Sequence, residues 1–173
     1  PPHKVPEMDG SVSAILLARS LVLAFGAKPI IVCPQDSVEA FKKCGNVVGL
    51  HVYEDLDTAM ELPLSLGVVA FTKDKAEAPA QAKALADKIL PAAAIGDLGN
   101  EIGMGTIGEH IKKYVPFTAP GECQDGCCGG ILAASSTDNI ITATCSDWGC
   151  YALMAALAYL KKDMDILHRE EME

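Results

Sequence analysis

The chain alternates between short β-branched runs and longer segments whose apolar positions recur at helical spacing. After an extended, proline-rich lead-in over residues 1–10, a helix is predicted from Ser11 to about Phe25. Val12, Ile15, Leu16, Ala18, Leu21, Val22, Leu23 and Phe25 cover most of its circumference, the pattern of a largely buried helix. Ser11 or Asp9 can cap its start, and Gly26 supplies its stop. Pro29 to Cys33 reads as a buried parallel strand. Capping-box spacing from Asp36 to Glu39 opens a helix that runs to Cys44, with Gly45 as its stop. Strands follow at Val47 to Tyr53 and Leu66 to Phe71, on either side of a short helix, Asp57 to Leu62, ended by Pro63. The helix from Ala76 to Leu90 tolerates Pro79 in its first turn. Ala92 to Ile95 then leads into a glycine-rich turn, and a helix is predicted from Thr106 to Tyr114.

Alternating strands and helices imply a parallel sheet covered by helices on both faces. Past Tyr114 the pattern breaks. Pro116 to Gly130 reads as a loop. Ile131 to Ser135 and Asn139 to Thr144 read as two strands of a hairpin or mixed-sheet edge. Cys145 to Gly149 is a second strand-to-helix turn, and Tyr151 to Leu160 an apolar closing helix. The expected fold is α/β, a three-layer α/β/α arrangement of a mostly parallel sheet with an antiparallel edge near the C-terminus. One domain is expected over residues 1–162, with a charged tail over 163–173. Arg19, set in an apolar helix, is either a rim charge reaching for water or a clamp for a substrate carboxylate.

A length of 173 residues suits one domain with a real core. Half of the residues are hydrophobic but only 5% aromatic, so that core is aliphatic. The net charge of -9 argues against nucleic acid and anionic membrane surfaces as partners. No apolar run reaches the ~20 residues of a membrane span. No signal or transit peptide is visible. Arg19 and Arg169 are the only arginines, so an anionic substrate would lean on backbone N–H groups, lysines or a metal. Seven cysteines is an odd number, which fits free thiols in a reducing compartment better than a disulfide framework. Cys123, Cys127, Cys128, Cys145 and Cys150 match no standard zinc spacing, and the four histidines form no ligand pair, so no metal site is expected.

The candidate chemistry lies in Ala94-Ile95-Gly96-Asp97-Leu98-Gly99-Asn100-Glu101-Ile102-Gly103-Met104-Gly105. A strand, a glycine-rich turn and a helix in that order would gather backbone N–H groups around a concavity suited to anions. Asp97, Asn100 and Glu101 add acid, base and amide groups. Alternatively, Asp97 or Asn100 caps the following helix and Glu101 is solvated.

Gly96 to Gly105 resembles the signature of the D-glutamate cyclase family, GDGGNE followed by a hydrophobe and GMG. Two further stretches fit in order and spacing. Pro6-Glu7-Met8-Asp9-Gly10 resembles the family's P-E-T-D-G, and Cys145 to Leu153 resembles its V-S-N-W-G-x-Y-A-L. In the family a strand precedes the first motif; this chain starts at Pro1, so a truncated N-terminus is expected. The resemblance implies a hydro-lyase that closes D-glutamate to 5-oxo-D-proline and water. It implies proton transfer by Asp97 and Glu101, and substrate binding by Asn100, Gly99, Gly103, Glu7, Asp9, Asp147 and Trp148. Glu7 and Asp9 can equally cap a helix and face solvent, and Trp148 can equally pack in the core. No cofactor is expected, although the two carboxylates of the first motif suit a divalent cation. The implied partner is a small amino-acid substrate, and the chain is either a homo-oligomer or a subunit of a larger assembly. The implied compartment is the mitochondrial matrix, with the cytoplasm as the alternative. Met8, Ser11, Leu98 and Asp147 depart from the family pattern. They motivate a second reading, a catalytically inactive homologue acting as a binding or assembly subunit.

Overall fold

The computed structural model describes residues 10–72, 74, 76–90, 92–98, 101–105, 139–142 and 146–167. Helices and strands alternate through the first half: α1 Ser11–Phe25, β1 Ile30–Pro34, α2 Val38–Val47, β2 His51–Tyr53, α3 Leu56–Glu61, β3 Ser65–Phe71 and α4 Ala78–Ile89. Three further strands, β4 Ala94–Leu98, β5 Glu101–Gly105 and β6 Asn139–Thr142, precede α5 Ser146–Lys161. The chain is therefore α/β. It falls into two compact units, one of Pro6–Ala70 with Cys150–Glu173 and the other of Pro1–Val5 with Phe71–Gly149.

The first unit holds a three-stranded parallel sheet of order β1-β3-β2. His51, Val52 and Tyr53 of β2 pair with Ser65, Leu66 and Gly67 of β3. Ala18 and Val22 of α1, Cys33 of β1, Val38 of α2, Leu50, and Leu66 and Val68 of β3 form its core. β3 is the central strand, and Leu66 and Val68 are almost wholly buried. That matches the apolar run read from the sequence.

Several boundaries follow local chemistry. Gly26 ends α1 in the left-handed region at φ 63°, where its N–H donates to Val22 O at 2.8 Å. The start of α1 differs from expectation. Gly10 holds the cap position at φ 79°, with no side-chain cap bond. Asp55 caps α3, accepting from Thr58 N–H at 3.1 Å. The cap position of α2 falls on Ser37, one residue after Asp36. Gln35–Ser37 is a 3-10 turn, and Ser37 makes no side-chain cap bond.

Gly45 is not the stop of α2, which continues to Val47 and shortens the expected strand Val47–Tyr53 to His51–Tyr53. The reason is packing. A Cβ on Gly45 would stand 2.5 Å from Val52 Cγ2 and 3.3 Å from Leu66 Cδ2. The glycine lets α2 lie close against β2 and β3.

Met164–Ile166, at the start of the segment read as a tail, is a 3-10 turn docked on α1. Ile166 is buried, and its carbonyl accepts from Ser20 Oγ at 3.0 Å and Arg19 Nη1 at 3.2 Å. Arg19, half-buried at the rim, thus anchors the last turn.

The second unit holds a three-stranded sheet of its own, of order β4-β5-β6, antiparallel throughout. Its helix α4 buries Ala82, Leu85 and Ala86. The entry to α4 is fixed by side-chain bonds: Ala76 N–H donates to Asp74 Oδ1 at 2.7 Å and Thr72 N–H to Gln81 Oε1 at 2.9 Å. The expected helix Thr106–Tyr114 and strand Ile131–Ser135 lie outside the described residues.

Candidate functional site

The glycine-rich stretch is not a strand-to-helix turn. Its two halves are antiparallel strands in register, Ala94 with Gly105, Ile95 with Met104, Gly96 with Gly103, Asp97 with Ile102 and Leu98 with Glu101. Over Glu101–Met104, β5 is paired on both sides. Glu101 also pairs with Thr142, Ile102 with Ile141, Gly103 with Ile140 and Met104 with Asn139. Leu98, where the family pattern has glycine, ends β4 in strand backbone, which any residue adopts. A leucine there carries no conformational penalty.

Strand alternation divides these positions into two sets. Glu101 falls with Leu98, Gly96, Gly103 and Thr142, whereas Asp97 falls with Ile95, Ile102 and Met104. The two acids therefore occupy opposite face positions of the sheet, although they are four residues apart in sequence. Gly99 and Asn100, between the strands, lie outside the described residues, as do Glu7 and Asp9 of the first motif.

The third motif is helical rather than a turn. α5 begins at Ser146, so Asp147 and Trp148 sit in its first turn. An acid there is favoured by the helix dipole. Trp148 is 62% exposed and is not a core side chain. The interior of this segment is filled by Gly149 and Cys150 instead, both buried.

In the first unit, the carboxyl edge of the parallel sheet is where ligands of such folds bind. It carries Cys33, Asp36 and Glu54. Burial first, then the nearby charges of Asp36 and Glu54, push the Cys33 thiol up to about 11. A thiol so protected is an inert core group. Lys42 bonds both Glu54 and Glu39 at 2.9 Å, joining α2 to the end of β2. The hydrogen bond from Lys42 holds Glu39 below the usual carboxylate range.

Cys33 and Cys44 are free thiols. Among the described residues no group of three or more His, Cys, Asp or Glu is placed to hold a metal ion. Cys123, Cys127, Cys128 and Cys145 lie outside them. Among the described residues, no helix is long and apolar enough to cross a membrane.

No curated protein and no solved structure gives a match to the chain. A family model does: that of the D-glutamate cyclase-like, C-terminal domain, over residues 74–173. The matched segment carries α4, the β4-β5-β6 sheet and all of α5. It includes Asp97, Asn100, Glu101, Asp147 and Trp148; Glu7 and Asp9 precede it. With more than half of its length matched, the chain belongs to the D-glutamate cyclase-like, C-terminal family.

Proposed function

We propose that this chain is a hydro-lyase that closes D-glutamate to 5-oxo-D-proline with release of water. Membership of the family over residues 74–173, the segment that holds Gly96–Gly105, carries the reading. In the reaction the α-amine nitrogen bonds to the γ-carboxyl carbon and the amine loses a proton. The tetrahedral intermediate then breaks its C–O bond, and the departing oxygen takes up protons and leaves as water. A base, an oxyanion pocket and an acid are required. Holding the substrate folded supplies proximity. Asp97 and Glu101 are assigned to proton transfer, with Asn100, Gly99 and Gly103 on the substrate. Because the two acids occupy opposite face positions, they do not act as an adjacent pair sharing one proton. One of them carries the dominant role. Glu7, Asp9, Asp147 and Trp148 are assigned to substrate binding, and the first two also suit a divalent cation. The mitochondrial matrix, or alternatively the cytoplasm, is the compartment that goes with this reading.

Purified protein incubated with D-glutamate should yield 5-oxoproline, with L-glutamate a poor substrate. Asp97→Asn and Glu101→Gln, tested separately, should differ, the more damaging one lowering kcat by roughly 10²-fold or more, as for loss of a positioned acid or base. Full turnover in both variants would exclude these assignments. A second reading, a non-catalytic binding subunit, is favoured by Asp147, an acid where the family pattern has an amide. It predicts binding of D-glutamate without turnover.

A further inference from the structure

The C-terminal ends of α1 and α5 lie side by side in the first unit, with the Lys161 ammonium 4.3 Å from the centre of the Phe25 ring. Around that contact large apolar side chains face solvent: Phe25 is 59% exposed, Tyr159 81%, Leu160 74% and Met164 58%. A pocket of about 460 Å³ opens among Tyr159, Leu160, Lys162 and Met164, with the buried Ala158 at its base. Single exposed apolar residues are ordinary, but a contiguous group around a pocket marks an interaction surface.

The charges beside the patch select its occupant. Lys161 and Lys162 are followed at once by Asp163 and Asp165, and all four are exposed. A patch carrying both signs repels neither sign outright and matches no partner of a single sign. It matches itself. A two-fold axis through the patch would set the lysines of one copy against the aspartates of the other and bury the aromatic and aliphatic groups between them. An anionic membrane suits it less, because Asp163, Asp165 and the net charge of -9 oppose approach. We infer that this face binds a second copy of the chain in an isologous dimer. The inference is independent of the catalytic reading.

Sedimentation equilibrium of the whole chain across micromolar to submillimolar concentrations tests it. The expected result is a monomer–dimer equilibrium. Leu160→Glu, at an exposed position, should weaken dimerisation by roughly tenfold or more, the scale of a lost interface anchor, while leaving unchanged the Tm measured at concentrations where the chain is monomeric. A Lys161→Glu/Lys162→Glu double variant and an Asp165→Lys variant should each dimerise poorly. An equimolar mixture of the two should recover a dimer, because each repulsive contact becomes attractive across the heterodimer. A chain that stays monomeric throughout, a dimer indifferent to Leu160→Glu, or no recovery on mixing would overturn the inference. Binding to phosphatidylserine vesicles that Leu160→Glu abolishes would assign the face to membranes and overturn it too.

Discussion

Cys33 shows how one side chain's surroundings set its chemistry. It is 5% exposed, and burial, Asp36 and Glu54 together keep its proton on. Below its ordinary value of 9.0 the thiol is neutral whether the chain is folded or not. Between there and about 11 the unfolded thiol ionises while the folded one does not, so stability must fall as pH rises through that window. Denaturant midpoints should drop from pH 8 to pH 10.5, and the drop should shrink in Cys33→Ala. At pH 8 the exposed Cys44 should be alkylated well before Cys33, as peptide mapping would show. Some single-residue features were legible in the sequence. Gly26 ends α1 as expected, because a glycine after an apolar periodic run has few other uses. Arg19 was not legible: its partners are carbonyl oxygens of Asp165 and Ile166, nearly the whole chain away.

Elements were legible where the pattern was local and strong. The apolar helix α1, the strand β3 and the alanine-rich α4 fall within a few residues of expectation. The misreadings share a cause: glycine has two uses that a sequence does not distinguish. At Gly45 it serves close approach within a continuing helix, and at Gly96, Gly103 and Gly105 it sits in paired strands. Gly45→Ala should therefore destabilise the protein. The ~1 kcal/mol of helix propensity gained is outweighed by overpacking of about 1–3 kcal/mol. The stiff, β-branched Val52 is the nearest obstacle. Urea denaturation should show a lower midpoint, and adding Val52→Ala should restore part of the loss. The early start of α5 was hidden for a related reason. Ser146-Asp147-Trp148-Gly149 reads as a turn, yet serine and aspartate are also good first-turn residues.

Charge and the family motifs described the whole molecule better than they described its parts. The order of the three motifs pointed to the family that the match over residues 74–173 establishes. Which side chains surround a substrate was beyond the pattern, since strand register, not sequence spacing, decides which positions share a face. A global measurement separates the two functional readings. A ligand that binds only the folded chain stabilises it by about 2.7 kcal/mol at a hundredfold excess over Kd. D-glutamate should therefore raise the Tm and L-glutamate should do so less. A shift without 5-oxoproline formation selects the binding subunit, and a shift with turnover the enzyme.

The bond between Ser20 and Ile166 spans 146 residues. During synthesis, α1 leaves the ribosome long before the turn that clamps it exists. The unit built from Pro6–Ala70 and Cys150–Glu173 therefore cannot close before that turn has been made. Until then the apolar flank of α1 needs shielding.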